Sequence, residues 1–246
     1  FSLQAVSKYA REVWEFVNLY SKTRGCNRFH AVIRALDLLR ERNEVVSRGV
    51  DVPYFPALLE WVKRESKLGN ATLDAEVLNG NDGLVPIKTW SDAVNDSVKD
   101  IAHGVPPFPL VREVLVEAAA RADCMVISQT PTDALEREWT ENQIEGFVSA
   151  IAGQEMGTKT QHLDLAAKDK YGPGNILMIG DAPGDHNATK ATGALFFPIN
   201  PGDEEASWKC LLDEGLENFF CGTFAGDYQQ QLLADFEKCL PENPTW

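Results

Sequence analysis

Two aspartates follow an apolar stretch in the second half of the chain. The stretch Ile176–Ile179 is followed by Gly180, by Asp181 and, four residues later, by Asp185. An apolar run of this length predicts a buried strand, and a glycine at its end lets the backbone turn sharply. Two neighbouring carboxylates repel each other unless a cation lies between them, and their hard oxygen atoms suit Mg²⁺. The pattern indicates a magnesium site, with a helix cap by Asp181 and a solvated Asp185 as the alternative.

A hydroxyl group and a lysine follow two other predicted strands. Ser128 ends the apolar run Cys124–Ile127, and Gln129 and Thr130 come next, at the predicted start of a helix. Backbone N–H groups at a helix start bind anions, so these residues are candidate phosphate ligands, with an ordinary helix cap as the alternative. Lys159 lies at the start of a later helix, where the helix dipole disfavours a cation. A nearby anion would offset that cost, and a solvated surface lysine is the alternative.

The order of these signals resembles the haloacid dehalogenase (HAD) superfamily of hydrolases. The resemblance covers about residues 110–200, where a serine, a lysine and a GDxxxD sequence follow successive strands. It implies that Ser128 and Lys159 are catalytic residues that hold and neutralise a phosphoryl group. It also implies that Asp181 and Asp185 hold Mg²⁺ and that the protein is a phosphatase acting on a small phosphorylated metabolite through an aspartyl-phosphate intermediate. Carbon–halogen cleavage fits less well, because the two carboxylates indicate a metal site.

The nucleophilic aspartate of that superfamily is not found in this sequence. Asp37 lies in a predicted amphipathic helix, and Asp227 follows the predicted core. The strand that would carry the nucleophile is the central strand of the sheet, and without it two rows of backbone groups would be unpaired. We therefore expect a further strand upstream of Phe1, and no phosphatase activity from these residues alone. A non-catalytic HAD-like binding protein is the alternative, and a receiver-like phosphoacceptor domain fits the late position of Asp181 poorly.

The elements that position these residues fall into two regions. Residues 1–105 predict helices almost throughout, whereas residues 106–246 alternate between apolar strands and helices. This alternation predicts an α/β fold with a parallel sheet and helices on both faces. The resemblance identifies it as a HAD-like Rossmannoid core and the first region as an all-helical cap. Predicted helices cover 6–20, 28–48, 55–67, 72–78, 89–103, 111–121, 158–168, 184–192, 204–212 and 224–240, with one more from Pro131 capped by Thr130; predicted strands cover 124–127, 147–151, 175–179 and 194–198.

One basic turn in the helical region is a candidate for substrate binding. Lys22, Arg24 and Arg28 lie within seven residues of one another, between two predicted helices of an acidic chain. At the edge of a cap, such a turn would contact the part of the substrate that is not transferred. Lys22 is also a candidate Schiff-base lysine. A solvated turn between helices is the alternative.

The composition restricts the possible partners. The 23 Lys and Arg residues against 37 Asp and Glu residues give a formal net charge of −14, which disfavours nucleic acid and anionic membranes. No apolar run approaches the roughly 20 residues that span a bilayer. The five cysteines are widely spaced and form no CxxC, which favours reduced thiols over a zinc site or a disulfide framework. We expect a cytoplasmic monomer or homodimer that binds neither nucleic acid nor membrane.

Overall fold

The chain forms two compact units in the computed structural model, which describes residues 3–101, 103–167 and 170–246. The helical unit comprises Phe1–His103 and Glu242–Trp246, and the α/β unit comprises Gly104–Pro241. Across the described residues, no helix combines the length and the apolar character needed to cross a membrane.

The helical unit is built on two apolar clusters. One joins the first two helices around Val17 and Leu38, and the other surrounds Trp61, which packs edge to face on Phe29 at 4.9 Å between ring centroids. The described helices are α1 (Ser7–Leu19), α2 (Arg28–Glu41), α3 (Asn43–Val46), α4 (Pro56–Arg64), α5 (Asn70–Leu78) and α6 (Val85–Ile101).

The helix predicted from residue 28 to residue 48 is interrupted at Arg42. This residue is extended (φ −70°, ψ 122°) and its side chain is buried, where it forms ion pairs with Glu12 and Glu44. Burying a guanidinium group requires carboxylate partners, and the break in the helix lets Arg42 reach both of them.

The α/β unit alternates between helices and short strands in the predicted order. Its elements are α7 (Val111–Ala119), β1 (Met125–Ile127), α8 (Thr132–Glu141), β2 (Ala150–Ala152), α9 (Lys159–Ala167), β3 (Leu177–Gly180), α10 (Pro183–Thr192), β4 (Leu195–Pro198), α11 (Glu204–Cys210), α12 (Leu216–Phe220) and α13 (Asp227–Cys239). A π-helical turn, Leu211–Gly215, joins α11 to α12.

The strands form two separate parallel pairs. β1 pairs with β2 and β3 pairs with β4, and among the described strands nothing joins one pair to the other. The fold is therefore mixed α/β, mostly helical with small parallel sheets, and this confirms the predicted class. The continuous Rossmannoid sheet is not formed by the described residues.

Helices cover both faces of β3. Leu177 and Ile179 pack against the cluster that contains Val114 of α7, and Met178 packs against the cluster that contains Leu163 of α9. Alternate residues of a strand point to opposite faces, so each face of β3 is covered by a different helix.

Several predicted boundaries differ from the structure, and two of them lie beside the strands β1 and β2. The strand predicted at 147–151 forms only at Ala150–Ala152, because Glu145–Phe147 is a 3-10 turn and pairing starts where the Ser149 N–H donates to the Cys124 carbonyl. The helix predicted to start at Pro131 with Thr130 as its cap starts at Thr132, with Pro131 in the cap position. Residue 102 and Lys168, both predicted to be helical, lie outside the described residues.

Candidate functional site

A lysine–aspartate ion pair lies where β2 and β3 lead into their helices. Lys159 begins α9, and its Nζ donates to Oδ1 of Asp185, in the first turn of α10. Asp185 is 3% exposed, whereas a quarter of the Lys159 side chain remains accessible. The pair therefore joins a buried anion to a cation that can still reach a ligand.

The turn after β3 is shaped to hold Asp185. Its Oδ2 accepts a hydrogen bond of 3.1 Å from the Ala182 N–H, which closes the start of α10. Gly180 leaves the space for this carboxyl group, because a Cβ atom at Gly180 would lie 2.7 Å from Asp185 Cγ and Oδ2. The Gly-Asp pattern in the sequence thus reflects a close approach of the backbone to a buried carboxylate.

Ser128 closes a local turn at the end of β1. Its N–H donates to the Ala152 carbonyl of β2 (2.9 Å), and its Oγ accepts from the Thr130 N–H (3.1 Å). Among the described residues no acceptor is recorded for the hydroxyl proton of Ser128. Gln129 and Thr130 are exposed, so both are accessible to a ligand at this edge of the sheet.

The loop after β1 is tied to the loop after β2. Gln129 Nε2 donates to the Gly157 carbonyl (3.2 Å), and the Gln154 N–H donates to the Thr130 carbonyl (3.0 Å). Gly157 is two residues before Lys159, so these contacts connect the Ser128 turn to the ion pair. The structure brings the predicted residues of the three loops to one edge of the strands.

The sequence did not indicate that Glu155 accepts hydrogen bonds at the start of α8. Its Oε2 accepts from both the N–H (3.1 Å) and the Oγ1 (3.0 Å) of Thr132, so a carboxylate from the β2–α9 loop occupies the start of α8. A hydrogen bond from its own backbone N–H, together with those from Thr132, lowers the pKa of Glu155. Gly153 permits the contact, because a Cβ atom there would lie 2.5 Å from the Thr132 nitrogen. The partners are 23 positions apart, so no local spacing could have indicated this cap.

A capping box between Thr158 and Gln161 closes the start of α9. The Thr158 N–H donates to Gln161 Oε1 (2.8 Å), and the Gln161 N–H donates to Thr158 Oγ1 (3.3 Å). This box fixes the first turn of α9 and with it the position of Lys159.

Asp181 directly follows β3 and is half-buried. Within residues 3–101, 103–167 and 170–246, the structure contains no group of three or more Asp, Glu, His or Cys side chains arranged to hold a metal ion. A cation at Asp181 would therefore need further oxygen ligands from elsewhere.

Two histidines near the site had no predicted role. His162, in α9, is 4% exposed, and neither ring nitrogen has a hydrogen-bond partner among the described residues. His186 follows Asp185 and stacks on Phe196 at 5.2 Å with an interplanar angle of 12°. Burial, assisted by the charge of Lys190, lowers the pKa of His186.

The predicted basic turn belongs to the helical unit, and its residues make contacts within that unit. Arg28 Nη1 donates to Asn95 Oδ1 (2.6 Å), and Arg24 Nη1 donates to the Leu19 carbonyl (2.8 Å). Lys22 is exposed and lies 3.9 Å from a carboxylate oxygen of Glu242. Substrate binding by these three residues stays a prediction.

Comparison with known proteins identifies glutamate ligases as relatives. The chain is 26% identical over 185 residues to a probable alpha-L-glutamate ligase of Citrobacter koseri, a match that covers 66% of this chain and 61% of the relative. It is also 26% identical, with the same coverage, to the ribosomal protein bS6–L-glutamate ligases of Escherichia coli and Escherichia fergusonii. The chain thus spans about 61% of the length of these curated relatives. No protein-family model and no solved structure matches it.

These relatives correct the functional prediction. They are named as ligases, so the prediction of a HAD-type, magnesium-dependent phosphohydrolase is wrong. The alternative of a non-catalytic HAD-like protein rests on the same resemblance and is set aside with it. The prediction of a small phosphorylated metabolite as the partner is also corrected, because the Escherichia coli relative is named for a ribosomal protein and L-glutamate. Serine, lysine and aspartate at strand ends suit many phosphate-handling α/β sites, so their order does not specify one reaction.

Proposed function

We propose that this protein takes part in joining an amino acid, L-glutamate or one like it, to a polypeptide through an amide bond. The observation that carries the proposal is the similarity to glutamate ligases of three bacteria. The α/β unit would supply the phosphate-handling part of the site, because Ser128, Lys159 and Asp185 lie at one edge of its strands.

The chemistry of amide formation explains why such a protein needs a phosphate site. A carboxylate and an amine do not condense spontaneously in water, so the carboxylate must first be activated. A carboxylate oxygen attacks the terminal phosphorus of a nucleoside triphosphate, and the diphosphate leaves. The amine then attacks the acyl carbon, the C–O bond to phosphate breaks, and the amine loses its proton to a base. Both steps spread negative charge over phosphate oxygens, which positioned cations and N–H groups stabilise.

Lys159 is the proposed cation for this charge. It is accessible, it lies at the amino end of α9, and the buried Asp185 holds its Nζ in place. A bound phosphoryl group would compete with Asp185 for the ammonium group. Ser128 is the proposed hydroxyl donor, and Gln129 and Thr130 form the exposed wall next to it.

Magnesium fits this proposal as an ion that arrives with the nucleotide. Mg²⁺ is held in many phosphate-transfer sites by one or two carboxylates together with phosphate oxygens. Asp181 is the proposed protein ligand. Asp185 is the second, and it becomes available when Lys159 turns toward phosphate, because both Asp185 oxygens are otherwise engaged. When bound, the ion would neutralise phosphate charge.

The partner that follows from the proposal is a polypeptide that accepts glutamate. The basic turn of Lys22, Arg24 and Arg28 stays a proposed contact for substrate carboxylates. A cytoplasmic location, where nucleoside triphosphates are abundant, is part of the same proposal.

The decisive test measures nucleotide use and product mass together. The protein is incubated with ATP, Mg²⁺, L-glutamate and an acceptor peptide, and nucleoside diphosphate is measured alongside the peptide mass. We expect diphosphate to form only with glutamate present, and the peptide to gain the mass of glutamyl residues. ATP turnover that is independent of every amino acid offered would contradict the proposal.

Variants then connect the activity to the site. Lys159→Ala should lower the glutamate-dependent rate about 100-fold, the scale of one lost charge-stabilising donor. Lys190→Ala is the matched control, because Lys190 is an exposed lysine in the last turn of α10. Equal rates for the two variants would remove Lys159 from the catalytic site.

A further inference from the structure

The surface of the helical unit contains an open cavity of about 250 Å³. The residues that line it are Glu12, Glu15, Phe16, Tyr20 and Trp246. The first three belong to α1, Tyr20 follows the last residue of that helix, and Trp246 comes from the C-terminal segment of the same unit. Cavities that enclose drug-sized ligands span about 300–1,000 Å³. This cavity is smaller and open to solvent, so it suits one long side chain better than a nucleotide.

Aromatic rings form much of the lining of this cavity. Phe16 is buried, whereas Tyr20 and Trp246 are each 43% exposed. Glu12, Phe16 and Tyr20 are spaced four residues apart, a spacing that places side chains in one row along a helix. The face of an aromatic ring carries partial negative charge and attracts cations. The rings therefore favour a cationic ligand over an anionic one.

The two carboxylates of the cavity differ in what they already contact. One oxygen of Glu12 is paired with Arg42, and the other lies 3.7 Å from Nζ of the exposed Lys8. Glu15 is exposed, and its side chain forms no ion pair or hydrogen bond with any residue that the structure describes. Glu15 is therefore the carboxylate that is left to pair with a ligand.

Arg42 shows how groups of this kind hold a guanidinium group. Its guanidinium carbon lies 4.6 Å from the centroid of the Trp246 ring and 4.6 Å from that of the Tyr9 ring. The same group pairs with Glu12 and Glu44. The Arg42 side chain is only 5% exposed and is not among the residues that line the cavity. Because two carboxylates balance its charge, Arg42 repels a second cation only weakly.

We propose that the cavity binds an arginine side chain of a partner polypeptide. The guanidinium group lies against the Tyr20 and Trp246 rings and donates to the Glu15 carboxylate. A planar guanidinium suits both contacts, because it stacks on aromatic rings and can donate two parallel N–H groups to one carboxylate. It is also less strongly hydrated than the ammonium group of lysine, so it leaves water at a lower cost.

The charge of the whole chain favours the same kind of partner. The formal net charge is −14, which attracts basic polypeptides and speeds their encounter with the protein. The cavity takes the end of one side chain, and the backbone of the partner stays outside it. The inference does not depend on the proposed ligase activity.

A nuclear magnetic resonance titration with three short peptides tests the proposal. The peptides have blocked ends and differ at one position, which is arginine, lysine or citrulline, the neutral analogue of arginine. We expect the arginine peptide to shift the Trp246 indole N–H and the Tyr20 amide, with a dissociation constant on the order of 1 mM. The lysine peptide should bind about threefold more weakly and the citrulline peptide about tenfold more weakly. Added salt should weaken the binding of the arginine peptide.

Variants connect the binding to the cavity. Glu15→Gln should weaken the arginine peptide about fivefold, the scale of one exposed ion pair. Tyr20→Leu keeps an apolar side chain without an aromatic face and should weaken it about threefold. Glu60→Gln is the matched control, because Glu60 is an exposed glutamate in α4 of the same unit. It should bind as the unchanged protein does.

Several outcomes overturn the proposal. Equal affinity for the arginine and citrulline peptides would show that charge does not matter, and tighter binding of lysine would show that the site does not select a guanidinium. Glu15→Gln and Glu60→Gln variants of equal affinity, or peptide shifts confined to another surface, would place the binding elsewhere. Shifts at Tyr20 and Trp246 that grow with protein concentration alongside a dimer would assign the cavity to a second copy of the chain.

Discussion

Asp185 is a buried carboxylate whose two oxygens have different partners. One is paired with Lys159, and the other accepts the Ala182 N–H. A charged group with so little exposure is stable only if it is paired and hydrogen-bonded. The ion pair is therefore needed for folding as well as for the site. A change that displaces Asp185 should lower both the stability of the fold and the activity of the site.

The substitution Gly180→Ala, which adds one methyl group, tests whether the position of Asp185 is required for stability. The added Cβ would lie 2.7 Å from Asp185 Cγ, so the carboxyl group must move away from Lys159 and Ala182. We expect the free energy of unfolding to fall by about 3 kcal/mol, the range for a disrupted buried ion pair. Chemical denaturation with fluorescence or circular dichroism measures the change.

Gly184→Ala is the matched control. Gly184 lies in the first turn of α10, and a Cβ atom there meets nothing within 4 Å. Alanine should stabilise the helix by about 0.5 kcal/mol. A Gly180→Ala variant as stable as Gly184→Ala would show that Asp185 can move without cost.

At the scale of elements, the sequence predicted the strands well because each is a short apolar run between turns. The order of β1 to β4 and their approximate positions follow from that pattern. The sequence did not predict what each charged residue contacts. Lys159 was expected to face an anionic ligand, yet its partner in the structure is Asp185, 26 positions away. The acceptor for the start of α8 is likewise Glu155 and not the adjacent Thr130.

The reason is that local patterns report periodicity, whereas long-range partners depend on how the loops meet. The resemblance in residue order also suggested a reaction that the ligase relatives contradict. Most elements were therefore predictable from the sequence, although α12 was not, and the chemistry of the site was not predictable.

We expect the contact between α10 and β4 to make the stability of the α/β unit depend on pH. His186 stacks on Phe196, and burial lowers its pKa below the usual 6.5. Lys190 on the same helix lowers that pKa further, and Glu237 on α13 opposes the shift. Because folding lowers the pKa of His186, the unfolded chain binds a proton at this histidine more readily than the folded chain does. Stability should therefore decrease as the pH falls from about 6.5 through the lowered folded pKa.

His186→Phe should remove this part of the pH dependence, because phenylalanine keeps the ring stack and does not titrate. Denaturation curves recorded at steps between neutral and mildly acidic pH measure the effect. His30→Gln serves as the control, since His30 is exposed in the helical unit. An unchanged slope in the His186→Phe variant would show that another group controls this window.

At the scale of the whole molecule, the two units have separate apolar cores, yet the chain enters the helical unit twice. The last segment, Glu242–Trp246, belongs to that unit. The Trp246 ring packs edge to face on Phe16 at 5.3 Å and lies 4.6 Å from the Arg42 guanidinium. Arg42 is 6% exposed and has Tyr9 at the same distance, so two aromatic rings shield its charge.

Trp246→Ala should therefore destabilise the helical unit and leave the α/β unit unchanged. One aromatic pair and one partly exposed cation–π contact together contribute about 1–2 kcal/mol. Hydrogen exchange separates the units, because amides in α2 should lose protection while those in β4 keep theirs. Phe108→Ala is the control, since Phe108 is half exposed and lies in the α/β unit. Equal loss of protection in both units would mean that they unfold as one cooperative unit, although each has its own apolar core.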